Sequence, residues 1–196
     1  NGELKILKGL TLKGTAGANY ELNDYKSHAD VVEYSDGSSQ GPNYVSDELT
    51  RRLGITLQAL LNYEAKIGNH GVKAMLGSSR EIYTYNQDRQ YREDLPSDLL
   101  DQINAGSIDG QTTYGTGNES KRQSFFGRVN YDFKGKYLLE GNMRIDQSSK
   151  FASGHRTGYF PSVSAGWRVS EEGFMENISM INNLKIRGSW GQLGND

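Results

Sequence analysis

Apolar and polar residues alternate with a period of two along much of this chain. From Leu53 to Ile67 the odd positions are Leu53, Ile55, Leu57, Ala59, Leu61, Tyr63, Ala65 and Ile67. The even positions are Gly54, Thr56, Gln58, Leu60, Asn62, Glu64 and Lys66, with Leu60 the one apolar exception. Successive strand residues face opposite sides, so a strand collects these apolar groups on one face. A helix would scatter them all round.

The pattern recurs in Leu10–Leu22, Phe125–Phe133, Tyr137–Asp146, Tyr159–Val169 and Leu184–Gly191, and less regularly in Val72–Tyr85. Seven strands are expected. Several of the runs are far longer than the ~5–6 residues usual in soluble sheets. A tilted strand crossing a bilayer needs ~9–11 residues, so long strands with one apolar face favour a membrane barrel over a sandwich. Gly68-Asn69-His70-Gly71 and Lys134-Gly135-Lys136 read as tight turns, and residues 24–49 and 87–119 as long polar loops. Residues 148–157 read as a shorter loop at the same end. Residues 171–183 read as a connection at the turn end, containing a helical turn. Short connections at one end and long ones at the other characterise outer-membrane barrels. Within the second long loop, Pro96–Gly106 is expected to form a short helix, with Ser97 as cap and Gly106 as stop.

Composition narrows the class. No apolar run is long enough for a transmembrane helix, but barrel strands give little signal in bulk hydropathy. Glycine (24) and tyrosine (12) are abundant, which suits turns and a water–lipid interface respectively. A net charge of −2 provides no field for nucleic acid. The absence of cysteine excludes disulfide frameworks, thiolate metal sites and cysteine nucleophiles. Asn1 is not an initiator and no signal peptide is visible, so both ends read as cuts in a longer chain.

The C-terminal third carries a recognisable motif series. Ser124-Phe125-Phe126-Gly127-Arg128-Val129-Asn130-Tyr131 leads into Lys136-Tyr137-Leu138-Leu139. Arg144-Ile145-Asp146-Gln147-Ser148-Ser149-Lys150-Phe151 and Gly158-Tyr159-Phe160-Pro161-Ser162-Val163-Ser164-Ala165-Gly166-Trp167-Arg168 follow. Glu171-Glu172-Gly173-Phe174, Leu184-Lys185-Ile186-Arg187-Gly188-Ser189-Trp190-Gly191 and Gly194-Asn195 complete it. This order resembles the barrel of SusC/RagA-type TonB-linked outer-membrane proteins of Bacteroidetes. Residues 120–195 match densely. The first 120 match in rhythm, with Lys8-Gly9-Leu10 and the Leu76-Gly77 strand as weaker echoes. Gln147 stands where the family usually has glycine, so the turn there is expected to differ.

The resemblance implies that residues 1–196 are part of one barrel domain, an all-β antiparallel up-and-down transmembrane segment supplying about seven strands of a barrel of about 22. It implies a plug that this chain lacks, as it lacks the remaining strands. It also implies a Gram-negative outer-membrane location, contact with outer-membrane lipid, and import of glycans or peptides. The expected partners are a SusD-like surface lipoprotein and the TonB complex, the latter through missing N-terminal parts.

No enzyme is expected. Arg144, Asp146 and Lys150 read as a polar strand end, and Asp132 and Glu140 as lining of a water-filled lumen. His28, His70 and His155 lack metal-type spacing, so neither metal nor cofactor is expected. Gly115-Thr116-Gly117 lacks the third glycine of a dinucleotide loop and reads as loop. The ligand-contact candidates are Tyr83, Tyr85, Arg89, Tyr91 and Arg92, placed at and within an outer loop. Aromatic faces stack on sugars and guanidinium groups donate in forks; the plainer reading is an aromatic girdle and a solvated loop. Trp167 and Trp190 alternate onto the apolar face as membrane-interface anchors. The rival fold is a soluble carbohydrate-binding β-sandwich, with shorter strands and a core between two sheets. A surface adhesin or assembly barrel is a third option, which the C-terminal motif series argues against.

Overall fold

The computed structural model describes residues 1–176 and 180–194. Part of the 171–183 connection, and Asn195 and Asp196 at the end of the motif series, lie outside the described residues. The strands are β1 (Gly2–Leu7), β2 (Leu10–Ala29), β3 (Val32–Glu33), β4 (Ser39–Gln40), β5 (Tyr44–Ile67), β6 (His70–Glu93), β7 (Thr112–Phe133), β8 (Tyr137–Ser148), β9 (Thr157–Arg168) and β10 (Lys185–Gly191). Eight of them form one antiparallel up-and-down sheet in the order β1-β2-β5-β6-β7-β8-β9-β10. The small β3–β4 hairpin stands apart. β1 is thus an eighth strand beside the seven expected. Its few residues hold too short a run of alternation to register.

By contacts the chain divides into two compact units. One comprises Asn1–Gly17, Ile55–Ile82 and the chain from Ser120 onward; the other comprises Ala18–Gly54 and Tyr83–Glu119.

In the first unit the ladders fix which side chains share a face. Val129, Gly141, Val163 and Trp190 lie in one row, as do Tyr131, Leu139, Ala165 and Gly188. A third row holds Phe133, Tyr137, Trp167 and Ile186. The opposite face repeats polar rows, such as Arg128, Asn142 and Ser162, or Asn130, Glu140, Ser164 and Ser189. The apolar face is uncovered: Val129 is 53% and Leu139 51% exposed. Among the described residues the buried apolar side chains are Val45, Leu95, Val169 and Met175.

The turns of this unit follow from residue chemistry. Lys134 (φ 55°) and Gly135 (φ 69°) both adopt positive φ, and Lys136 N–H donates to the Phe133 carbonyl at 3.0 Å. Positive φ at both central positions is the hairpin geometry matched to strand twist. Gly9 (φ 81°) also has no room for a Cβ, because the Glu64 carbonyl occupies that space. Lys134 N–H donates to the Asn69 carbonyl (2.7 Å) and Arg168 N–H to the Lys136 carbonyl (2.8 Å), tying neighbouring turns together. The 169–184 connection contains 3₁₀ turns at Val169–Glu171 and Gly173–Met175.

The second unit departs from expectation. β5 begins at Tyr44, β6 runs to Glu93 and β7 begins at Thr112. The long loops are therefore 30–43, which carries the β3–β4 hairpin, and 94–111. Gly115-Thr116-Gly117 and His28 belong to strands, not loops. These extensions carry polar and charged residues on both faces, so no clean hydropathy period marks them, yet the backbone ladder continues.

The helix expected over Pro96–Gly106 is absent; only a 3₁₀ turn at Ile103–Ala105 forms. Tertiary hydrogen bonds hold the segment instead. Asn43 receives the Leu95 N–H on Oδ1 (2.8 Å) and donates from Nδ2 to the Leu95 carbonyl (3.0 Å) and Asp98 Oδ1 (2.7 Å). Ser107 N–H donates to the Glu93 carbonyl at 2.8 Å. Asp98, expected to stabilise a helix start, is taken by Asn43. Gln147 pairs with Gln123 and Thr157 inside β8, so the family glycine is replaced within a ladder, not in a turn.

Candidate functional site

Period two within β6 sets Tyr83, Tyr85, Gln87, Arg89 and Tyr91 on one face and Arg92 on the other. All lie in the strand, which corrects the placing of Arg89, Tyr91 and Arg92 in a loop. Arg92 Nη1 donates to the Gly106 carbonyl (3.3 Å), holding the 94–111 loop against the back of the strand. It does not join the other four residues.

The side chains facing the same way on β5 complete a polar and aromatic surface. The Tyr44 and Tyr91 rings lie 5.4 Å apart. Arg89 Nε donates to Ser46 Oγ at 3.1 Å, and Gln87 Nε2 to Glu48 Oε1 at 2.6 Å. Tyr85 O–H donates to Gln87 Oε1 (2.9 Å), and the Arg52 guanidinium lies 5.5 Å from the Tyr85 ring centre. Arg52 Nη1 also donates to Glu21 Oε1 at 2.6 Å. A cleft of about 540 Å³ opens here, lined by Glu48, Gln87, Arg89, Tyr91, Thr112 and Tyr114.

Tyr91 O–H donates to Glu93 Oε2 at 2.9 Å. Burial, then the Glu93 carboxylate, raises the phenol above its ordinary value. It therefore stays a neutral donor at any physiological pH. An aromatic ring beside a fork of guanidinium donors and a carboxylate can grip a polar ligand with ring faces. Tyr44, Glu48, Thr112 and Tyr114 escaped sequence reasoning because they sit far from β6 in the chain. Parity along β6 was the available signal, and it also excludes Arg92.

The first unit has its own polar network. Arg128 Nε donates to Asn142 Oδ1 (2.6 Å), and Asn142 donates to Glu140 (2.9 Å) and Ser162 (3.3 Å). Arg144 Nε donates to both Asp146 oxygens at 2.8 Å, and Arg144 Nη2 to Ser124 Oγ at 3.1 Å. Each carboxylate here is met by a cation or amide, as on a solvated polar wall. His70 Nδ1 shares a 2.8 Å hydrogen bond with the Tyr131 hydroxyl. Among the described residues no three His, Asp or Glu side chains gather as metal ligands.

Trp167 and Trp190 share the apolar face but not a level. Trp167 sits in the row with Tyr137, beside the Lys134–Lys136 turn. Trp190 pairs with Val163, four residues along β9 from Trp167, or roughly 13 Å. Glu172 Oε1 accepts from Tyr137 O–H (2.7 Å) and Trp167 Nε1–H (3.1 Å). Lys136 Nζ lies 3.4 Å from Glu172 Oε2. The Tyr137 hydroxyl first, and the Trp167 N–H next, hold the Glu172 carboxyl below its usual 4.5. A lowered carboxyl contributes stability that is complete above 4.5 and is lost as pH falls through the lowered value. We expect the Trp167 emission to shift on acidification with a midpoint below 4.5, read against Trp167→Phe to isolate its signal. Glu172→Gln should abolish that transition. A transition unchanged in Glu172→Gln would remove this corner as its source.

An antiparallel up-and-down sheet whose strands β7–β10 are apolar on one face and polar on the other is the wall of an outer-membrane-type β-barrel. The match to the family described as TonB dependent receptor-like, beta-barrel spans residues 2–194, and the chain belongs to that family. It is of the SusC/RagA type that its C-terminal motifs resemble. A TonB-dependent receptor of Formosa agariphila is 33% identical over 169 residues, covering 81% of this chain and 17% of that receptor. The TonB-dependent receptor SusC of Bacteroides thetaiotaomicron is 29% identical over 187 residues, covering 88% of this chain and 18% of SusC. The RagAB peptide importer in its closed-closed state superposes with a TM-score of 0.88 at 24% identity, over 99% of this chain and 22% of that one. The chain thus spans about a fifth of the length of the proteins it matches. Members of this family are outer-membrane β-barrels, and the relatives are receptors and transporters by name.

Proposed function

We propose that this chain is a stretch of barrel wall from a TonB-dependent importer in a Gram-negative outer membrane, taking up glycans or peptides. In this reading residues 1–196 form part of one barrel domain. A SusD-like surface lipoprotein delivers the substrate, and the TonB complex drives uptake through parts of the protein beyond this chain. The observation that carries the reading is the row-by-row segregation of apolar and polar side chains across β7–β10. Similarity to the RagAB peptide importer supports the peptide class.

Within this reading the polar face lines the lumen. Along β6 the lumen parity is odd: a Cβ on Gly77 would meet the Phe126 ring and the Leu60 side chain, both on polar-face parity. We assign the cleft at Tyr85, Arg89 and Tyr91 to the substrate path because its ring faces and guanidinium donors suit a polar ligand. Tyr83 lies two residues further inward. Trp167 with Tyr137 anchors the turn-side lipid interface, and Trp190 faces acyl chains within the apolar band.

The test uses the full-length receptor. Arg89→Ala combined with Tyr91→Ala should weaken substrate binding at least about tenfold, the loss of one charge-assisted hydrogen bond and one stacking face. Arg92→Ala, on the other face, should leave affinity within about twofold, since a surface change away from the ligand is near neutral. Equal affinities for all three proteins by calorimetry would remove the cleft from the substrate path.

A further inference from the structure

The apolar face of the first unit bears a groove of about 510 Å³, a ligand-sized space rather than a packing defect. Gly14 and Ala16 of β2, Leu57 and Ala59 of β5, and Ser78 and Arg80 of β6 line it. Small side chains create it. Gly2 pairs with Gly14, so two neighbouring strands offer bare backbone at this level. On β7–β9 the same face instead carries the bulky row Phe125, Ile145 and Tyr159.

Arg80 stands at the groove's polar end. It is the eleventh residue of β6, counted from His70 beside the short turn. A tilted strand has crossed the hydrocarbon after ~9–11 residues, which brings Arg80 to the outer boundary of the lipid. Its side chain is exposed and makes no hydrogen bond or ion pair among the described residues. Beside it, Gln123 Nε2 donates to Ser78 Oγ at 3.0 Å, forming a polar ledge on the same face. An arginine facing lipid is tolerated near an interface and costly at the midplane. One with no internal partner, above an apolar groove, is matched by an anion attached to an acyl chain. Its planar fork fits phosphate with two parallel hydrogen bonds.

We propose that this groove holds an acyl chain of a phosphorylated outer-leaflet lipid, with Arg80 binding the lipid's phosphate. The assignment rests on reading this face as lipid-facing and the loop end as external. A free phosphate ion would have no use for the groove, and an apolar peptide would have none for the arginine.

The experiment takes the full-length receptor, delipidates it in detergent, and titrates it with lipid A and with the same lipid A after enzymatic removal of its phosphates. Wild type should bind the phosphorylated form about tenfold more tightly, the worth of a charge-assisted pair. Arg80→Gln should erase that preference and Arg80→Lys should keep most of it. Ala59→Trp, which fills the groove, should weaken both lipids alike; heat-modifiable migration on a gel checks that each variant is folded. Equal affinity of wild type for the two lipids overturns the proposal, as does an Arg80→Gln variant that keeps the preference. Binding of inorganic phosphate as tight as that of lipid A would also overturn it. A nitroxide attached at Leu61→Cys separates the two levels. Collision with oxygen over a water-soluble nickel chelate, without phosphate preference, removes the lipid site and keeps the lipid-facing wall. Preference for the nickel chelate removes both.

Discussion

Leu139→Arg in the full-length receptor is expected to destabilise the folded barrel by about 1–2 kcal/mol, the cost of a lipid-facing arginine between the interface and the bilayer midplane. Leu139 is 51% exposed in this chain, so a soluble-protein view would treat the change as harmless. The row Tyr131–Leu139–Ala165–Gly188 lies two residues in from the Tyr137–Trp167 level, part-way into the apolar band. Ser164→Arg is the control. It sits in the neighbouring row with Asn130 and Glu140, on the polar face, where an added cation meets water and an existing carboxylate. Its expected cost is within about 0.5 kcal/mol, as for ordinary surface changes. Urea unfolding in lipid vesicles measures both. Similar costs for the two variants would mean that the faces are wrongly assigned.

Expressed by itself, the 196-residue stretch should aggregate in plain buffer and dissolve only in detergent. Two physical features demand this. The apolar face is bare, with Val163 at 45% and Ile186 at 57% exposure, and such contiguous patches associate in water. The end strands β1 and β10 also leave one side each without a partner in the sheet, and open edges template further pairing. Size-exclusion chromatography without detergent decides the matter. A sharp, stable monomer peak would favour the soluble sandwich and sink the barrel reading.

How far the sequence alone reaches depends on whether a strand has one apolar side. Phe125–Phe133, Tyr137–Asp146 and Tyr159–Val169 were legible because each has a lipid face, and the ladders of β7, β8 and β9 fall where alternation put them. Residues 44–52 were illegible as strand. On one parity the charged Asp47 and Arg51 interrupt Val45 and Leu49, and on the other stand Ser46, Glu48, Thr50 and Arg52. Neither side is continuously apolar. Their strand state comes from cross-strand hydrogen bonding, which leaves no mark on hydropathy. The Pro96–Gly106 helix failed for a related reason. Ser97, Asp98 and Gly106 carry helix signals, but Asn43, more than fifty residues away, claims Leu95 and Asp98.

The candidate site divides in the same way. The aromatic and basic character of residues 83–92 was visible in the sequence; that Arg92 faces away from the rest followed only from β6 running to Glu93. What surrounds Arg89 and Tyr91 was not visible, because Ser46, Glu48 and Tyr44 arrive from another strand. By itself, then, the sequence determined the class: alternation, turn chemistry and the motifs after residue 120 specify a membrane barrel wall and its family. Only the tertiary structure decided where the strands end, which loop residues are pinned, and which side chains share a cleft or a groove. The physical reason is that period and turn type are local properties of the chain. Register between strands distant in sequence is not local, and it alone sets Arg89 beside Ser46 and Arg80 above the glycines and alanines of its groove.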